Sequence, residues 1–204
     1  MIPAAEALER LREGNRRFVS DASTHTGTGF RTRRLETAPN QEPFAVILGC
    51  SDSRVPAEIV FDQGLGDLFV IRVAGNIVAP SQVGSVEFAA ARAGARLVVV
   101  LGHSQCGAIL ATLEELARPS EQSRNLRSIV ERIRPAIEPL LLSQITPTDA
   151  ALIRRAVRAN VKASVSHLRH GSDILERLTQ TDGLVIVGAE YCLETGVVEF
   201  FDGV

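Results

Sequence analysis

Apolar residues along this chain follow two different spacings. Between residues 4 and 19 they recur at Ala7, Leu8, Leu11 and Phe18, with Glu and Arg between them, which is the period of an amphipathic helix. Phe44–Leu48, Leu68–Val73, Leu97–Leu101 and Leu184–Val187 are instead short, unbroken runs rich in Val, Ile and Leu. Such runs predict strands buried on both faces, as in a parallel sheet. Ser81–Ala93, Gln105–Ala117 and the longer Arg-rich stretches 121–142 and 149–179 read as helices; Pro135 and Pro139 are expected to kink or end the first of that longer pair. Gly196–Phe201 predicts a last strand, joined to Leu184–Val187 by a hairpin through Glu194-Thr195-Gly196. Residues 20–43, rich in Thr, Gly, Asn and Pro, predict a long extended connection, either a mobile arm or a segment that packs on a partner subunit. Strands alternating with helices predict an α/β fold. It has a mainly parallel central β-sheet flanked by helices, an N-terminal helical arm and an antiparallel C-terminal edge strand. The expectation is a single domain over 1–204, with 1–40 as the arm and 41–204 as the α/β core.

Composition narrows the function classes. A chain of 204 residues, 45% of them apolar, suits one domain with a sizeable core. The longest apolar runs are five residues, far short of the roughly 20 that a membrane helix needs, so no membrane span is expected. The formal net charge of −2, from 22 basic and 24 acidic side chains, gives no support for nucleic-acid binding. The opening Met-Ile-Pro-Ala-Ala-Glu lacks the features of a secretory signal, and three cysteines do not make a disulfide scaffold. A reducing, cytoplasmic setting is expected.

Two strand ends carry the chemistry. The first predicted strand runs into Gly49-Cys50-Ser51-Asp52-Ser53-Arg54, and the third into Gly102-His103-Ser104-Gln105-Cys106-Gly107. Ligands of open parallel sheets bind at the carboxyl ends of the strands. His103 and Cys106, three apart, are expected on one face of a helical turn. Cys50 joins them if the first and third strands are neighbours. Two thiolates and one imidazole suit tetrahedral Zn²⁺, with the fourth position open as in catalytic sites. Taken singly, a His-x-x-Cys spacing or a strand-end cysteine is as compatible with plain packing. Cys192, the remaining thiol, falls in the predicted hairpin, so Asp52 is the better candidate for a conditional fourth ligand. Arg54 can hold the Asp52 carboxylate with its planar fork. Clamped, Asp52 stays ionised and off the metal and can accept a hydrogen bond from bound water. Released, it can ligate zinc. The pair therefore forms a switch.

These segments resemble the β-class carbonic anhydrases of bacteria. The resemblance rests on Cys-Ser-Asp-Ser-Arg followed about fifty residues later by His-x-x-Cys-Gly. It extends through Val55–Val73, Ala74-Gly75-Asn76, Gly84-Ser85-Val86-Glu87-Phe88 and Val100-Leu101-Gly102-His103, and includes Gly14-Asn15-Arg16-Arg17-Phe18. Residues 118–150 carry it least. It implies one zinc held by Cys50, His103 and Cys106, with Asp52 as fourth ligand in a closed form and paired with Arg54 in an open one. It further implies that the side-chain amide of Gln41 donates to substrate, that Phe69 lines an apolar CO₂ pocket, and that the backbone N–H of Gly107 faces the site. Phe88 stands where many members carry a Tyr in the pocket, which leaves that pocket drier. Ile47 stands where some bacterial members carry a Trp that frames a regulatory bicarbonate site; Arg72 and Tyr191 match its other two members.

The implied activity is reversible hydration of CO₂ to bicarbonate and a proton by attack of zinc-bound hydroxide. It would run in a homodimer or homotetramer whose arms wrap the neighbouring subunit and whose active sites lie at the interface. His25, His167 and His170 are candidate proton shuttles or plain surface residues. Two other readings stay open: hydrolysis of carbonyl sulfide or carbon disulfide on the same scaffold, and a non-catalytic zinc or redox module in which Cys50 and Cys106 close as a disulfide.

Overall fold

The computed structural model describes residues 2–24, 30–119, 123–143 and 149–204. Five strands form one sheet: β1 (Ala45–Gly49), β2 (Leu68–Arg72), β3 (Leu97–His103), β4 (Val185–Tyr191) and β5 (Val198–Asp202). Their order is β2-β1-β3-β4-β5; the first four run parallel, and β5 lies antiparallel to β4 at the edge. The predicted α/β architecture therefore holds. Every residue of β1 and β3 is buried, so the unbroken apolar runs reflect helices packed on both sheet faces. β2 departs from that expectation: Leu68, Phe69 and Val70 are only partly buried, because β2 is an edge strand.

Alternate residues of β1 and β3 serve opposite faces. Ala45, Ile47, Leu97, Val99 and Leu101 pack with Ala7 and Leu11 of α1 (Ala4–Val19) and with α3 (Ala57–Val60). Val46, Leu48, Val98 and Val100 pack with α4 (Pro80–Arg92), α7 (Ala150–His170) and α8 (Asp173–Thr181). A third cluster, between α5 (Gly107–Ala117), α6 (Arg124–Ile137) and α7, contains Cys50 and Cys106 at one end. Gly102 lets α7 approach closely: a Cβ there would meet Val161 at 2.6 Å and Val157 at 3.2 Å.

Among the described residues, the N-terminal segment is more structured than its composition predicts. α1 lies against its own sheet, and residues 20–43 contain a helix, α2 (Phe30–Thr37), where an extended connection was expected. α2 buries none of its residues, so no apolar period announces it. Arg33 ties it to the body by donating to the Leu65 carbonyl and to Asp67, both at 2.9 Å. The predicted 149–179 helix is two helices, parted where Gly171 ends α7 and the Ser172 side chain caps α8. Pro135 lies inside α6, which gives way to a 3₁₀ segment from Glu138, as the two prolines led us to expect. β4 runs on to Tyr191, past the apolar run that predicts it, because His103 and Leu101 of β3 continue to pair with it. Among the described residues no helix is long and apolar enough to cross a membrane.

Asn15 joins the arm to the body. Its buried amide donates to the carbonyls of Val60 (3.1 Å) and Gly196 (2.8 Å), and its oxygen accepts from Val198 N–H (2.9 Å). Asn15→Ala leaves these backbone groups unpaired and is expected to cost about 2–3 kcal/mol, read as a lower urea midpoint. Arg16→Ala, which removes only an exposed contact to Glu9, is expected to leave the midpoint unchanged.

Candidate metal centre

The site forms where β1 and β3 end side by side. Their register sets Gly49 beside Leu101, so Cys50 leaves β1 next to the last residues of β3. His103 closes β3, and Cys106 follows a turn in which Gln105 adopts a left-handed φ of 55°. This corrects the expected helical turn. α5 starts only at Gly107, Cys106 caps it in extended conformation, and the turn, not a helix face, brings Cys106 back to His103. The turn is fixed from outside by β4 and the hairpin after it. Ser104 N–H donates to the Tyr191 carbonyl, and Ser104 Oγ accepts from Leu193 N–H, both at 2.9 Å.

The ligand atoms of Cys50, His103 and Cys106 lie within 4.8 Å of one another, and all three residues are buried. His103 is fully buried, and its Nδ1 sits 2.9 Å from the Ser104 carbonyl oxygen. A carbonyl only accepts, so Nδ1 carries the proton and Nε2 presents a lone pair. Among the described residues that buried Nε2 has no hydrogen-bond partner. Such an orphan atom beside two thiols is what a metal ligand leaves behind. The thiols agree. The Cys50 thiol is pulled below its usual range, to about 4, foremost by the hydrogen bond it shares with Cys106, with the Gly75 N–H acting in the same direction. Cys106 is pushed up by the same sharing and by burial, while the N–H groups of Ile109 and Ala108 at the start of α5 favour its thiolate. One proton between two buried sulfurs leaves one of them protonated; a divalent cation accommodates both as thiolates. Zinc, bonded at about 2.3 Å to sulfur and 2.0 Å to nitrogen, fits this donor set and spacing.

Asp52 and Arg54 form the predicted clamp. Arg54 Nε and Nη2 donate to the two carboxylate oxygens at 2.9 and 2.8 Å, and Arg54 N–H adds a third bond at 3.0 Å. The Arg54 guanidinium holds the Asp52 carboxyl well below the usual carboxylate range. Asp52 Oδ2 is 3.9 Å from His103 Nε2, so the carboxylate borders the centre while bound to arginine. Arg72, matched by resemblance to a different role, pins this loop: it donates to the Cys50 carbonyl at 3.0 Å and to the Asp52 carbonyl at 2.6 Å. Tyr191 is buried beside Phe18, and Ile47 lies in the core.

The remaining predicted residues lie elsewhere. Gln41 is exposed and precedes β1, at the end of the strand opposite Cys50. Phe69 pairs in register with Val46, four residues before Cys50, which is about 13 Å along the strand. Its ring packs against the half-exposed Phe88, centroids 6.2 Å apart. Gly107 is exposed at the first turn of α5, beside Cys106. His167 and His170 are exposed at the far end of α7, and His25 lies outside the described residues. Gly75, which donates to Cys50 Sγ, and Asn160 and Ser164, which bond the carbonyls of Gly75 and Asn76, have no place among the predicted site residues. The signal available for them is a pair of polar residues at positions 160 and 164 inside the apolar stripe Leu152, Ala156, Val157, Val161, Val165 and Leu168.

Comparisons with known proteins agree with this geometry. A family model described as carbonic anhydrase matches residues 45–198. The carbonic anhydrase of Mycolicibacterium smegmatis is 39% identical over 196 residues, covering 95% of this chain and 91% of that protein. Carbonic anhydrase 2 of Mycobacterium tuberculosis is 37% identical over 190 residues, covering 93% and 89%. Among solved structures, a tetrameric β-carbonic anhydrase of Sordaria macrospora superimposes with a TM-score of 0.74 at 23% identity, over 84% of this chain and 87% of that one. At that identity it speaks to the fold alone. Because the family match spans both ligand-bearing strand ends and the relatives align along nearly the whole length, the chain belongs to the β-carbonic anhydrase family of enzymes.

Proposed function

We propose that this chain catalyses the zinc-dependent, reversible hydration of CO₂ to bicarbonate and a proton. The observation that carries the reading is the buried, unpartnered Nε2 of His103, which faces two thiols and has an arginine-clamped carboxylate 3.9 Å away. Cys50, His103 and Cys106 hold the metal. Zinc bound there supplies Lewis-acid activation of a water molecule for attack on CO₂. Asp52, kept anionic by Arg54, would accept a hydrogen bond from a water held at the centre and so orient it. The clamp also engages both Asp52 carboxylate oxygens, which would keep them from a metal held by the other three residues. With Arg54 withdrawn, Asp52, whose Oδ2 lies 3.9 Å from His103 Nε2, would be free to act as a further ligand.

CO₂ is apolar and offers little to grip, which suits an aromatic pocket with a single donor. Phe69, Phe88 and Gln41 have those properties but lie away from Cys50 in their own chain, so Gln41 and Phe69 serve the centre of a neighbouring subunit. Gly107 offers a backbone N–H on the near side. The surface around β2 supports assembly: Phe30, Leu35, Ile59 and Leu65 are exposed apolar side chains near that sheet edge, a combination that favours a covered interface. A homodimer or a homotetramer is the working assembly, as for the tetrameric relatives from Sordaria macrospora. Residues 1–40 serve as its arm, on a single domain with 41–204 as core, and the setting is cytoplasmic.

Stopped-flow CO₂ hydration by zinc-loaded protein across about pH 6.5 to 9 is expected to be fast and to rise with pH; inactive protein with zinc bound overturns the reading. Cys106→Ser is expected to lose zinc, by elemental analysis, together with activity. Asp52→Asn should retain one zinc per chain yet turn over at least about tenfold more slowly, since an amide cannot reproduce the carboxylate's acceptor role. Arg54→Ala frees Asp52 to block the site, so turnover at neutral pH should collapse; wild-type turnover in that variant would remove the switch.

A further inference from the structure

We infer that Asn160 on α7 is a positioning residue for the metal thiolate of Cys50, acting through the backbone of Gly75. This rests on the zinc centre proposed above and adds to it a support that touches neither metal nor substrate.

Gly75 lies within the short 3₁₀ turn Ala74–Asn76 that follows β2. Its N–H donates to Cys50 Sγ at 3.3 Å, and its carbonyl accepts from Asn160 Nδ2 at 2.8 Å, both within buried surroundings. The residue is thus bracketed between a metal ligand and a helix eighty-five positions away in sequence. Its φ of 68° is a left-handed conformation that suits glycine. Space demands glycine as well. A Cβ at Gly75 would meet Ile133 of α6 at 2.8 Å and Ala108 of α5 at 3.0 Å. One turn further along α7, Ser164 Oγ donates to the Asn76 carbonyl at 3.1 Å.

The same stretch of α7 also indexes the other half of the site. Val157 and Val161 pack on Gly102, the residue immediately before His103. The helix that orients the Gly75 N–H toward Cys50 is therefore seated on the strand that presents the imidazole. An amide is suited to the link because it donates to a buried carbonyl without introducing charge. A hydrogen bond to a ligating sulfur withdraws electron density from it, and groups around a metal's ligands tune the metal in this way. Losing Asn160 would free Gly75 to rotate, and the N–H would leave the sulfur.

The test is the cobalt(II)-loaded protein, whose sulfur-to-cobalt charge-transfer absorption reports on the thiolates. Asn160→Leu is expected to move that band to longer wavelength and to weaken zinc binding roughly three- to tenfold in competition with a chelator. Ser164→Ala is the matched control: it removes a buried hydrogen bond from the same helix but leaves the Gly75 carbonyl bonded. It should leave the band in place and change zinc affinity less than about twofold. Should Asn160→Leu fail to fold, Asn160→Ser, whose hydroxyl is too short to span the gap, reads the same quantities. An unmoved band in the Asn160 variant overturns the inference. So do changes in both variants that merely track their lost thermal stability, since these indicate loosening of α7 alone. Wild-type protein that takes up neither cobalt nor zinc overturns the metal centre itself, and the inference with it.

Discussion

The parallel pairing of β1 with β3 is the constraint on which the centre depends. With Gly49 beside Leu101, the two chains leave the sheet next to each other, and Cys50 arrives beside His103 without any further adjustment. A slip of one residue would turn every side chain of β1 to the other face and carry Cys50 with it. That register is strongly held because both strands are buried throughout, with alternate side chains committed to two different helix layers. Packing of the sheet and placement of the ligands are one problem, solved by the same residues.

Electrostatics then divides the site into a dry side and a wet side. Cys50 and Cys106 belong to an apolar cluster with Ile109, Ile133 and Val157, and His103 is fully buried, so an uncompensated charge there would be costly. Arg54 and Arg72, both exposed, bind carboxylate and carbonyl oxygens of the Cys50–Asp52 loop. The arginines thus shape the loop without competing for the sulfurs. Of the two, Arg54 is half-exposed and holds a side chain, whereas Arg72 holds the backbone.

Legibility in the sequence followed the range of the interaction involved. The Cys50-x-Asp52-x-Arg54 and His103-x-x-Cys106 segments could be read because ligand type and clamp geometry are local properties of residues two or three apart. The conformation of the second segment could not. A three-residue spacing looks helical, yet Ser104 is tied to Tyr191 and Leu193, and the chain turns through a left-handed Gln105 before the helix begins. α2 was invisible for a related reason: it buries nothing, and among the described residues the side-chain bonds that tie it to the body come from Arg33, so its residues carry no periodic signal. β2 looked like a two-sided buried strand because apolar residues at a sheet edge have the same composition as those at its centre.

By itself, the sequence determined the alternation of strands and helices, the Cys50, His103 and Cys106 set as a candidate metal site, and the Asp52–Arg54 pair. Periodicity and side-chain chemistry are written residue by residue, and burial only has to agree with them. Tertiary structure alone decided that Asn160 stands behind Gly75, that Arg72 grips the Cys50 loop, and that Gln41 and Phe69 lie at a distance from the thiols of their own chain. Each of these depends on the approach of segments far apart in the chain, which is set by how closely α7 can sit on Gly102 and by the order of strands in the sheet. Spacing along a chain carries no record of such distances.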